Sequence, residues 1–279
     1  MTSTHHAFEV PSTQRRTVLR AAGALCAVAL LPNTVWAAPA VADLNDAINQ
    51  AGRQRMLSQR MAKAWLALTL GVEGVQARTV LDRSVALFER QLAALKAYAP
   101  TAEIRSTYTE LEAAWATYRQ ALVGAAASPA AAPALLQADA RVLALAHQGT
   151  VQYEAAQAQP VGHLVNIAGR QRMLSQRMAK FCLAAALRVD AAGAQAEITR
   201  SRTEFLQAMQ TLRSAPQATP RILQELQLAD GQWVFFNAAL QRIQAGTDGG
   251  RALPDVFVAS ENLLAVMDQV TGLYAAVKG

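Results

Sequence analysis

After residue 41, apolar side chains recur at alternating spacings of three and four, the period of a helix that buries one face. The pattern predicts helices near 43–70, 74–98, 102–124 and 134–158, then near 162–190, 194–214, 219–245 and 254–277. Gly71 with Gly74, Pro100, and the Ala125 to Pro133 stretch separate the first four; Gly193, Pro216 with Pro220, and Gly246 to Gly250 separate the second four. The expected fold is all-α: two tandem antiparallel four-helix bundles, residues 42–158 and 161–279. Pro160 falls between them and marks either a kink or a very short linker.

The two halves are copies. AGRQRMLSQRMAK at Ala51 to Lys63 returns unchanged at Ala168 to Lys180, with Asn49 and Asn166 two positions ahead. Later helices keep the correspondence: Phe88 with Phe205, Leu95 with Leu212, Trp115 with Trp233, Leu122 with Leu240, and Gln148, Thr150 and Tyr153 with Gln269, Thr271 and Tyr274. On a helix the block resolves into stripes. Ile48, Ala51, Arg55, Ser58, Ala62 and Trp65 form one seam, matched by Val165, Ala168, Arg172, Ser175, Ala179 and Cys182. Leu57, Met61, Ala64 and Leu68 form a second, matched by Leu174, Met178, Phe181 and Ala185. Arg53, Arg60 and Lys63, with Arg170, Arg177 and Lys180, fall on the opposite stripe, where solvation is expected.

Residues 1–37 read as an address. Arg15-Arg16-Thr17-Val18-Leu19-Arg20 is a twin-arginine motif, the apolar run Ala21 to Leu31 follows, and Val35-Trp36-Ala37 offers the small residues of a cleavage site. The run is too short to span a bilayer, so the expected mature chain begins near Ala38, is periplasmic and carries no membrane span. Cys26 follows Leu25, which does not suit a lipoprotein signal; Cys182 would remain the one thiol, leaving helix packing to supply stability. The formal charge of +6 falls to +4 once the leader's three arginines and one glutamate are removed. With no interleaving of aromatic and basic residues, nucleic acid is not an expected partner.

An arginine on a packing seam ordinarily snorkels or pairs with a carboxylate. Here Arg55 and Arg172 occupy equivalent places, each among Ala and Ser where larger side chains would pack better. A pseudo-twofold axis between the first helices would bring them face to face. Two buried guanidinium groups require an anion between them, and neither repeated block contains Asp or Glu. A small external oxyanion fits the planar fork of donors.

The stretch AINQAGRQRMLSQRMAKAWLAL resembles the opening helix of the PilJ-type domain of type IV pilus chemotaxis transducers, and is similar to the P-box of NarX-type nitrate sensors, an Ala-Gly followed by Arg-Met. The resemblance implies a four-helix bundle that holds nitrate or nitrite at a dimer axis through one first-helix arginine from each subunit. The family arginine stands three residues after the glycine, which carries the role onto Arg55 after Gly52 and Arg172 after Gly169. It covers each first helix strongly, the rest only by length and helix count. The familiar sensors are membrane receptors that dimerise, whereas this chain holds both copies in tandem. Its expected role is to bind the anion and present the ligand state to a membrane sensor or transporter.

Enzyme chemistry has little support. His147 and His163 are the histidines beyond the leader, in no spacing that suggests a metal site or a base beside a nucleophile, and no cofactor is implied. Met56, Met61, Met173 and Met178 read as packing rather than copper ligands. The alternative is a structural adaptor docking an acidic partner through the stripe of Arg53, Arg60 and Lys63.

Overall fold

The computed structural model describes residues 41–157, 159–245 and 250–277; the expected twin-arginine leader lies outside the described residues. Eight α-helices carry the described chain: α1 (Leu44–Leu70), α2 (Gly74–Tyr98), α3 (Ala102–Val123), α4 (Ala132–Gln157), α5 (Pro160–Ala186), α6 (Ala191–Ser214), α7 (Pro220–Gln244) and α8 (Leu253–Ala275). The Asp43 carboxylate accepts from the Asp46 amide at 2.8 Å and starts α1. Gly71, left-handed at φ 68°, ends it, and the Val72 amide reaches back to the Ala67 carbonyl at 2.9 Å. Thr101 and Thr219 cap α3 and α7 in the same way, each accepting from the amide three residues on. Of the two readings of Pro160, a kink or a very short linker, the helix bounds give the linker: Pro160 opens α5 in the first turn, where a missing N–H has no intrahelical partner to lose.

The helices contact one another as two four-helix sets, α1–α4 and α5–α8, with α1 lying along α5 between them. The described residues form one compact unit. Each set repeats the other's packing. Phe88 stacks on Trp115 at 4.3 Å between ring centres, and Phe205 on Trp233 at 4.6 Å. Such pairs contribute about 0.5–1.5 kcal/mol beyond the area they bury. The Tyr153 hydroxyl donates to the Leu95 carbonyl at 2.7 Å, and the Tyr274 hydroxyl to Leu212 at 2.6 Å, tying the fourth helix of each set to the second.

The stripe expected to be solvated is not. Because α1 and α5 have helices on every side, buried positions run all the way round both. Lys63 is fully buried and donates to Ser260 Oγ at 2.8 Å and Glu261 Oε1 at 2.6 Å on α8; Lys180 is buried against Asp139 on α4 at 2.6 Å. Arg60 pairs with Glu261, Arg53 with Asp268, Arg170 with Glu204 and Arg177 with Glu197. Lys63 and Lys180 thus reach across: each extends from the first helix of one set to the fourth helix of the other.

Burial raises the Glu261 pKa, but Lys63 and Arg60 outweigh it and hold the carboxyl at about 2. A carboxyl depressed on folding stabilises fully above its unfolded value, near 4.3, and the contribution fades as pH falls through the folded value. Urea midpoints of the wild type should therefore fall between about pH 4.5 and pH 2. In E261Q the midpoint at pH 7 should already be lower and the acid-side slope shallower; parallel curves for the two proteins would contradict this role.

Candidate functional site

The site forms where α1 and α5 come closest. A Cβ built on Gly52 would lie 3.8 Å from Gly169 Cα, 3.3 Å from Arg55 Nη2 and 3.4 Å from Arg172 Nη2. One built on Gly169 would lie 3.1 Å from Arg172 Nη2 and 3.8 Å from Arg55 Nη2. The absent side chains are the space into which both guanidinium groups turn. The four residues expected from sequence are therefore together, and both arginines are fully buried.

Their hydrogen bonds are reciprocal. Arg55 Nη2 donates across the interface to the Asn166 carbonyl at 3.3 Å and its Oδ1 at 2.7 Å, while Arg172 Nη2 donates to the Asn49 carbonyl at 2.9 Å. Asn166 in turn donates to Glu154. The asparagines preceding each repeated block thus receive the opposite arginine, which is what a pseudo-twofold relation between the halves produces. Neither Arg55 Nε nor Arg172 Nε has a partner, although both are buried.

On the sides away from the interface the symmetry fails. Arg172 Nη1 donates to Asp268 Oδ1 on α8 at 2.5 Å, and Arg53 Nη2 shares the same oxygen at 2.8 Å. In the register of Gln148 with Gln269, the first-set counterpart of Asp268 is His147 on α4, and Arg55 Nη1 meets its Nδ1 at 3.2 Å. A guanidinium can only donate, so this nitrogen accepts and the ring proton sits on Nε2. Burial, then Arg55 and Arg170, push the His147 pKa down, which keeps the ring neutral at pH 7.

The two cations are consequently unequal. Burial lowers the Arg172 pKa to about 10, partly opposed by Asp268. Arg55 is lowered to about 9, by burial first and then by Arg170 and Arg172. Among the described residues Arg55 has no ion pair, and Glu154 and Glu204 only partly oppose the lowering. Asp268 was not visible to reasoning about the repeated blocks, because it lies far from both; comparing α4 with α8 in register exposes it as the acidic partner that His147 replaces.

Beside Arg55, between α4, α5 and α6, opens a cavity of about 320 Å³ that reaches His147 and Arg170. The four methionines set aside as packing residues, Met56, Met61, Met173 and Met178, are all buried. Among the described residues no three or more His, Cys, Asp or Glu side chains gather where a metal could sit, and no helix is long and apolar enough to cross a membrane.

Neither the curated proteins nor the solved structures offer a match to this chain. A family model does, and it matches twice: PilJ, the type IV pili methyl-accepting chemotaxis transducer N-terminal domain, over residues 42–141 and 153–253. Each match contains one copy of the repeated block with its glycine and buried arginine. PilJ domains are of the non-catalytic sensor type, and this chain belongs to the PilJ family, with two copies of the domain in tandem.

Proposed function

We propose that this chain is an exported, periplasmic binding protein that holds one nitrate or nitrite between Arg55 and Arg172 and presents its occupancy to a membrane sensor or transporter. The observation that carries the reading is the pair of buried arginines whose Nη2 atoms lie beside the Gly52–Gly169 contact, each with an unpartnered Nε. A buried donor left unsatisfied costs about 1–3 kcal/mol, more when charged, and two such donors on facing cations call for a shared acceptor. Nitrate is planar, singly charged and weakly hydrated, so it gives up little hydration on entering a helix interface, and the guanidinium forks match its three oxygens. Asp268 already offsets the charge of Arg172, which favours a monoanion over sulfate or phosphate.

The adaptor alternative needs a free basic stripe. Lys63 is buried, and Arg53 and Arg60 are engaged by Asp268 and Glu261, which removes its basis.

Thermal unfolding in millimolar nitrate or nitrite tests the proposal. A ligand that binds only the folded state at a hundred times its Kd adds about 2.7 kcal/mol. Each kcal/mol raises the Tm of a chain this size by about 2–4 °C. Matched chloride and sulfate should do much less. R55A and R172A should each lose the nitrate response while R200A retains it. Equal shifts with every anion, or a nitrate response that survives R55A/R172A, would end the proposal.

A further inference from the structure

The loss of symmetry around the arginines has a pattern. In register with Gln148 and Gln269, Glu261 and Asp268 of α8 correspond to Ala140 and His147 of α4. In register with Phe88 and Phe205, Glu197 and Glu204 of α6 correspond to Val80 and Leu87 of α2. All four carboxylates therefore belong to the second set: Glu261 and Asp268 of α8 reach α1, while Glu197 and Glu204 of α6 reach α5. In the second set, Asp268 bridges Arg172 and Arg53 while Glu261 bridges Arg60 and Lys63, so the groove flanked by α8 and α1 is filled with paired charge. The corresponding groove of the first set has alanine and a neutral imidazole in those places, and there the cavity opens.

Its lining is cationic at the base and apolar along the walls. Arg55, Arg170, Arg177 and Arg200 outnumber Glu197 and Glu204. Glu197 is held by Arg177 at 2.7 Å and Arg200 at 3.3 Å, and Glu204 is held by Arg170. Arg55 alone among these arginines is fully buried, and it has no carboxylate partner and an unpartnered Nε. Leu143, Ala144, Met173 and Leu174 supply the apolar surface. The other half of the molecule shows what belongs at the cationic end. Asp268 presents one carboxylate to the counterparts of Arg55 and Arg170, at 2.5 and 2.8 Å.

We propose that this cavity is a second binding site, for a small monocarboxylate with an apolar body, whose carboxylate joins Arg55 and Arg170 as Asp268 joins Arg172 and Arg53. A cavity of about 320 Å³ is at the lower end of the range for small-molecule sites. Leu143, Ala144, Met173 and Leu174 receive the apolar body. The site shares Arg55 with the axial oxyanion but does not depend on it, since Arg172 does not line the cavity.

Titration of the full chain with benzoate, and with benzamide as its uncharged counterpart, tests the assignment. Benzoate should bind once per chain and benzamide at least tenfold more weakly. A144F, at an exposed wall position where added bulk need not disturb packing, should weaken benzoate at least tenfold and leave the nitrate response intact. H147D, which places in α4 the carboxylate that α8 already has, should abolish benzoate binding. R172A separates the two readings, because it removes the nitrate response and should spare benzoate. Absence of benzoate binding to the wild type, equal binding of benzamide, or unchanged benzoate affinity in folded A144F and H147D would overturn the proposal. Loss of the nitrate response alone would not.

Discussion

Replacing Asp139 with alanine should destabilise the protein by about 3–5 kcal/mol, the usual cost of stripping one partner from a buried ion pair. Asp139 is fully buried on α4; Oδ1 accepts from Gln59 of α1 at 2.7 Å and Oδ2 from Lys180 of α5 at 2.6 Å. One carboxylate thus holds three helices drawn from both sets. Without it the Lys180 ammonium, nearly without solvent contact, keeps its desolvation cost and loses its counter-charge. At about 2–4 °C per kcal/mol, Tm should drop by more than about 6 °C. The double variant D139A/K180M should recover much of the loss, because methionine fills the space of the lysine stem without a charge to satisfy. A D139A protein within about 1 kcal/mol of wild type in urea unfolding, or no recovery in the double variant, would show that the pair does not join the halves.

The second large effect is expected at the helix crossing. Valine at Gly52 must place its Cβ 3.3 and 3.4 Å from the two Nη2 atoms and its methyl groups closer still, so both guanidinium groups have to move or the helices must part. Overpacking of this kind costs about 1–3 kcal/mol. The larger consequence is for the ligand. The rise in Tm expected from the proposed nitrate binding, equivalent to about 2.7 kcal/mol of stabilisation at a hundredfold excess over Kd, should disappear altogether. G52A is the graded control: its single methyl is tight only against the two guanidinium ends and meets Gly169 Cα at an ordinary contact distance of 3.8 Å, and alanine regains roughly 0.5–1 kcal/mol of helix preference over glycine. G52A should fold at least as well as G52V and keep more of the response. A full nitrate response in G52V would remove Gly52 from the site.

Much of this could be read from residue order because the chain states its fold twice. The thirteen-residue repeat fixed the register between the halves, and the pairs Phe88/Phe205, Trp115/Trp233 and Tyr153/Tyr274 then fell into matching contacts. The seam arginines were legible for a similar reason: small residues flank both, and their expected meeting point coincides with the Gly52–Gly169 approach. The fate of the remaining charges was not legible. A helical wheel gives one helix one buried stripe and one wet stripe, which is sound for a helix on a surface. α1 and α5 are surrounded, so Lys63 and Lys180, nominally on the wet stripe, are buried against Glu261 and Asp139. Those acids lie on other helices, at no spacing that periodicity within α1 or α5 could reveal. The same blindness hid Asp268, and with it the difference between Arg55 and Arg172.

α4 ends at Gln157 and α5 begins at Pro160, so the two halves are joined by a link of two residues, less than one helical turn of backbone. In an assembly of two separate subunits the arginine pair would exist only while the subunits were together, and occupancy would follow protein abundance as well as anion level. Here the second arginine is always delivered, because joining the halves turns their association into an intramolecular event. Under the proposed function, occupancy would then follow anion concentration at any copy number. It also escapes a constraint on identical subunits, in which every substitution is made on both sides of the axis at once: one wall carries Asp268 and the other His147.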